Sequence, residues 1–111
     1  MAKGRLGIST ITPSVNTAVY TVPTGKSAAL SFTVMNRGLT DAVVSINLCS
    51  TAEIVGGNLP EASFIEYNTT IPSYGLLERT GVVLDAGKSV YAFSTSSDVN
   101  VVVVGVEETQ V

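Results

Sequence analysis

Two Gly-Lys-Ser triplets, Gly25-Lys26-Ser27 and Gly87-Lys88-Ser89, are the residues of this chain that most invite a chemical reading. A phosphate-binding loop places another glycine five residues before the Gly of Gly-Lys, and its amides open a helix that cradles phosphate. Those positions hold Tyr20 and Val82, and both serines open runs with strand periodicity, so the triplets read as turns. Cys49 lacks a base to activate it, because the chain has no histidine. It sits in the apolar run 43–49 and reads as a small packed side chain. The missing histidine and single cysteine also remove the usual zinc ligands. Asp41, Asp85 and Asp98 are single turn residues, not the dense carboxylate loop that calcium takes. Glu66 and Glu78 are candidates for paired acid–base work, but solvation, or pairing with Arg37 or Arg79, is the simpler reading. Tyr20, Tyr67, Tyr74 and Tyr91 form a conceivable ligand-stacking set; packing in a core or interface suits tyrosine on half-buried strands better. The expectation is a protein that is not an enzyme and uses no metal or cofactor.

The elements that would carry these residues are strands. Ala18, Tyr20 and Val22 share one face of a first run, and Ala28, Leu30, Phe32 and Val34 share one face of a second, with Ser31 and Thr33 opposite. Period two is the pattern of a strand with one buried face. Pro23 and Gly25 supply a turn between them, so 19–37 is expected to form a hairpin. The turn returns at Leu84-Asp-Ala-Gly-Lys-Ser-Val90. After a polar turn at 36–41, Val44, Ile46 and Leu48 alternate with Ser45 and Asn47; this third strand is expected to pair with 27–35. Residues 51–61 hold Gly56-Gly57-Asn58 and Pro60 and read as a loop, with room for a short helix before the glycines. Phe64-Ile-Glu-Tyr67, then 76–84 with a bulge expected at Gly81, then 90–93, and finally 99–106 complete about eight strands. The last is apolar on both faces, as a central or interface strand would be. Residues 1–16 read as an N-terminal arm or edge strand and 17–111 as a single all-β domain, an antiparallel β-sandwich or jelly-roll-like barrel.

Composition narrows the partners. Of 111 residues, 45% are apolar and 14% charged, against about 25% charged in an average soluble chain. So sparse an ionic surface suggests that sister copies or a partner cover part of it. The net charge of −3 argues against nucleic acid, which calls for a basic face. No apolar run is long enough to span a bilayer as a helix, and no signal peptide is visible; the expectation is cytoplasmic synthesis and no membrane partner. Asn68-Thr69-Thr70 matches the glycosylation pattern, which without a secretory signal reads as chance. Glu107-Glu108 reads as a solvated end of the last strand.

Taken in order, Met1-Ala-Lys-Gly-Arg-Leu-Gly, Val19-Tyr-Thr-Val-Pro-Thr-Gly-Lys, Met35-Asn-Arg-Gly38, Phe64-Ile-Glu-Tyr67, Gly75-Leu-Leu-Glu-Arg-Thr-Gly81, Asp85-Ala-Gly-Lys88 and Val104-Gly-Val-Glu-Glu108 touch nearly the whole chain. In these segments the chain resembles a family of small virion structural proteins of tailed bacteriophages, of the kind met in cyanophages. The resemblance implies a β-sandwich subunit that self-assembles, as a homotrimer first of all, and a place on the virion. Capsid decoration, where a cement protein binds the assembled major-capsid lattice, is one such place; a neck, tail or fibre module that attaches to a host surface is the alternative. No catalytic or cofactor residue comes with the family. Lys3 and Arg5, on the arm, and Phe64, Tyr67, Val102 and Val104, on two apolar strands, are the candidate contact residues.

Overall fold

The computed structural model describes residues 3–109. Residues 1–2 of the expected arm and 110–111 of the expected domain lie outside the described residues. Eight strands follow in order: β1 (Lys3–Thr10), β2 (Thr17–Thr21), β3 (Lys26–Asn36), β4 (Ala42–Ser50), β5 (Phe64–Ile71), β6 (Leu76–Asp85), β7 (Lys88–Ser94) and β8 (Val99–Thr109). They form two four-stranded antiparallel sheets, ordered β1-β8-β3-β6 and β2-β7-β4-β5.

This order has a simple origin. Pairing runs from Lys3↔Val106 through Thr21↔Ser89 and Met35↔Leu76 to Asn47↔Phe64, the register of one long hairpin with its tip in the 51–63 segment. Wrapping that hairpin on itself adds the pairs β3–β8 and β4–β7. The product is an eight-stranded jelly roll, the all-β sandwich that the strand count and turn spacing suggest.

The wrapping overturns the local pairing expected from the sequence. β2 and β3 do not form a hairpin; they lie in opposite sheets. The turn at Pro23 is tight, with the Lys26 amide donating to the Pro23 carbonyl at 3.1 Å. Yet the Val22 amide donates to Lys88 O (2.9 Å) and Val22 O accepts from the Gly87 amide (3.0 Å), so the β2 backbone belongs to β7. The two Gly-Lys turns therefore sit side by side, each passing the chain from one sheet to the other, with Gly25 and Gly87 at φ +78° and +83°. Likewise β4 pairs with β5 and β7, not with β3. Both strands of each expected hairpin do bury one face, but they bury it against each other across the core.

Phe32, Val34, Val44, Ile46, Val90, Val101 and Val103 fill the space between the sheets and are almost completely buried. Bulges adjust the alternation. A register shift between Ala18 and Tyr20 buries Val19 and Tyr20 together and leaves Ala18 exposed, not inward with Tyr20. Another, between Arg5 and Gly7, turns Leu6 inward and Ile8 outward. The bulge expected at Gly81 is present: Leu30 pairs with Val82, Phe32 with Arg79, and Gly81 sits at φ +71°.

Each open side of the sandwich is closed differently. Between β1 and β2, a Cβ on Gly7 would meet the Val19 carbonyl oxygen at 2.6 Å, so only glycine lets the two backbones come this close. Between β6 and β5, the Arg79 guanidinium spans the gap: Nε donates to Glu66 Oε2 at 2.9 Å and Nη2 to the Ile65 carbonyl. That pair resolves the Glu66 and Glu78 question toward a structural ion pair for Glu66.

Glu107 is not a freely solvated end. β8 is a central strand, and the Tyr20 hydroxyl donates to Glu107 Oε2 at 2.6 Å. Burial, then this hydrogen bond, raises the phenol's pKa. Among the described residues, no helix is long and apolar enough to cross a membrane.

Candidate functional site

Two surfaces on opposite sides of the sandwich bring candidate residues together. The first is the outer face of β1-β8-β3-β6. With Val101 and Val103 inward, alternation turns Asn100, Val102, Val104 and Val106 outward on β8, and the cross-strand register places Met35, Thr33, Ser31 and Ala29 beside them on β3. None of these eight side chains is charged. Ile8 (59% exposed), Leu76 and Val83 (73% exposed) extend the apolar area onto the edge strands. Charges stand around it: Arg5 is the register partner of Val104 and Lys3 of Val106, while Glu78, Asp85 and Glu108 sit at other margins. An apolar centre inside a charged rim is the anatomy of a protein–protein contact. Of the sequence candidates, the structure gathers Lys3, Arg5, Val102 and Val104 here.

Phe64 and Tyr67 lie on the other sheet. The β4–β5 connection, 51–63, does not project as a free loop but folds back over the outer face of β2-β7-β4-β5. It covers Cys49 and Tyr91 with Leu59 and Ile54, and Phe64 packs into this small second cluster. Burial raises the Cys49 thiol's pKa, consistent with a packed side chain rather than a nucleophile.

The flap is anchored by polar contacts. Asn47 Nδ2 donates to the Pro60 carbonyl at 2.8 Å. A 3₁₀ turn at Thr51–Glu53 precedes the glycines, where the sequence left room for a helix. Its Glu53 carboxylate accepts from Lys88 Nζ at 2.6 Å, from the Ser50 amide at 2.9 Å and from Ser50 Oγ at 3.1 Å. The Lys88 bond first, then the Ser50 bonds, hold Glu53 at about 2, below its ordinary 4.5. A carboxylate with a lowered folded-state pKa stabilises fully above its unfolded value and loses that contribution as pH falls through the folded value. The protection of 51–63 against hydrogen exchange, taken relative to the intrinsic rate at each pH, is therefore expected to hold from neutrality down to about pH 4.5 and to fall progressively from there toward about 2. Glu53→Gln should lower it at neutral pH and flatten the acid dependence; an unchanged profile in that variant would show that the flap is held by other contacts.

Between the flap, β5 and the 14–16 segment opens a cleft of about 1010 Å³. Phe64, Tyr67 and Phe93 supply aromatic walls; Asn58, Asn68 and Glu61 supply polar ones. The sequence candidates Phe64 and Tyr67 meet here, with rings 4.9 Å apart and edge to face. Phe93 and Asn58 carry no functional signal in the sequence, and Asn68 carries only the glycosylation-pattern match. Phe93 reads there as an ordinary strand aromatic, and its approach to Tyr67 depends on β7 and β5 flanking β4. The four tyrosines do not form one set: Tyr20 is in the core, Tyr91 under the flap, Tyr67 at the cleft and Tyr74 exposed in the β5–β6 turn. Among the described residues, no three of His, Cys, Asp and Glu gather as metal ligands.

Fold and surface together define an eight-stranded jelly-roll protein with an uncharged sheet face on one side and a flap-bordered cleft on the other. A scan of protein-family models, a search of curated proteins and a search of solved structures each return no match to the chain.

Proposed function

We propose that this protein is a bacteriophage virion subunit, a homotrimeric decoration or cement protein that binds the assembled major-capsid lattice at the virion surface. The observation that carries this reading is the outer face of β1-β8-β3-β6. Of its eight neighbouring uncharged side chains, Val102, Val104, Val106, Met35 and Ala29 are apolar, and releasing water from them favours contact. The Lys3 and Arg5 rim gives that face a cationic margin for an acidic neighbour. A subunit that binds only the assembled shell raises the shell's stability by mass action, and three copies in one trimer multiply weak contacts through avidity. The trimer and the virion setting come from the family resemblance.

The test adds purified protein to capsid shells that lack it. A trimeric native mass and a higher melting temperature of the decorated shells are expected. A monomer that leaves shell melting unchanged would end the reading.

A further inference from the structure

We infer that the cleft between the flap and β5 is a binding site for a neutral oligosaccharide. Val44 pairs with Thr69 and Ile46 with Glu66, so the single residue Ser45 faces both Tyr67 and Asn68. This is a β-bulge, a device that breaks alternation and re-aims a side chain. Asn68 takes a left-handed conformation at φ +48°, and its amide donates to Ser45 Oγ at 2.9 Å, which holds the bulge in place. Ser14, across the cleft, is also left-handed at φ +60°. Two of the three non-glycine residues with positive φ among those described thus line one cleft. Such conformations cost free energy and gather where a site must be held in shape.

The bulge leaves Tyr67 66% exposed although it belongs to a strand. The edge-to-face contact with Phe64, itself rooted under the flap, steadies the ring. A fixed, wet aromatic surface beside free amides suits a sugar: the ring stacks on the C–H face of a pyranose while amides and carboxylates take its hydroxyls. Asn58, Asn68 and Glu61 make no side-chain hydrogen bond to another described residue and are available for this, whereas Asn16 is engaged with the Gly57 carbonyl and Glu53 with Lys88. The lining carries Glu53 and Glu61 and no lysine or arginine, which disfavours sialylated or sulfated chains. The volume accommodates several sugar rings along the open side. The cleft also lies on the sheet opposite the uncharged face, so a subunit seated by that face presents it to the medium. The sugar site itself does not depend on that seating.

The full chain is applied to a glycan array carrying neutral hexose and N-acetylhexosamine oligomers beside sialylated and sulfated ones, and the best ligand is then titrated. Binding of neutral chains is expected. Affinity should fall about tenfold or more in Tyr67→Ala, as on truncating an aromatic anchor. Tyr67→Phe should keep most of it, and Tyr74→Ala, exposed outside the cleft, should keep all of it. Three outcomes would overturn the inference. One is an empty array together with no NMR shift at Tyr67, Asn58 or Phe93 on adding maltohexaose and chitotetraose at millimolar concentration. The others are equal affinity in Tyr67→Ala and a preference for acidic chains. Shell melting is read separately, so failure here leaves the lattice reading standing, and the reverse.

Discussion

Asn36→Leu is expected to lower the unfolding free energy by about 4 kcal/mol, because it strands several buried polar groups at once. Asn36 ends β3 and is completely buried. Its Nδ2 donates to the Thr40 carbonyl at 2.8 Å and to the Ile71 and Pro72 carbonyls at 3.1 and 3.3 Å; its Oδ1 accepts from the Gly38 amide at 2.9 Å. One amide thus joins the 37–41 crossing, which carries the chain from one sheet to the other, to the turn that leaves β5. Leucine keeps the branching at Cγ but is bulkier and offers neither donor nor acceptor. Each orphaned buried group costs about 1–3 kcal/mol, well above the net worth of a single hydrogen bond. For a domain of this size the loss corresponds to a fall in Tm of about 15 °C or more. A thermal or urea unfolding curve reads it directly. A change below about 1 kcal/mol would mean that water replaces the amide, and that the turns do not depend on it.

The second large effect separates adjacent residues of β3. Phe32→Ala should cost about 3–5 kcal/mol, the usual penalty for a large cavity in a packed core. Phe32 is 1% exposed and is the largest of the fully buried side chains, facing the opposite sheet. One residue on, Thr33 faces out between Val102 and Glu78. Thr33→Ala should leave unfolding within about 0.5 kcal/mol of the wild type. Thr33→Arg carries the contrast to function. It puts a long charged side chain between Val102 and Glu78 on the face proposed to seat on the shell, so it should leave the monomer folded while abolishing shell stabilisation, and trimer formation too if the same face joins the copies. Native mass and shell melting measure both. Retained shell stabilisation in Thr33→Arg would move the contact surface elsewhere on the molecule.

These residues also mark how much of the molecule was legible beforehand. That Phe32 faces in and Thr33 out follows from period two alone, because successive side chains of a strand point to opposite faces. The bulge at Gly81 was legible too, since an isolated glycine inside a strand pattern signals a break in the ladder. The Arg79–Glu66 pair was one of several options. The bulge at Tyr67–Asn68 carried no such signal: no glycine marks it, and it exists because Ser45 on another strand faces both residues. Nor did the 51–63 segment announce that it would fold back. Leu59 and Ile54 are unremarkable in a glycine-bearing loop until Cys49 and Tyr91 offer them an apolar floor.

Read alone, the amino acids point to a small all-β protein with a sparse ionic surface. They settle which side of most strands is buried, because burial is written in side chains. They leave open which strand lies beside which, because ladder hydrogen bonds join backbone groups that every residue but proline shares. Only the wrapped tertiary structure sends β2 to β7 and β3 to β8. That same wrapping spreads the valines of β8 into one face with Met35 and Thr33, and brings Phe93 within the same cleft as Tyr67.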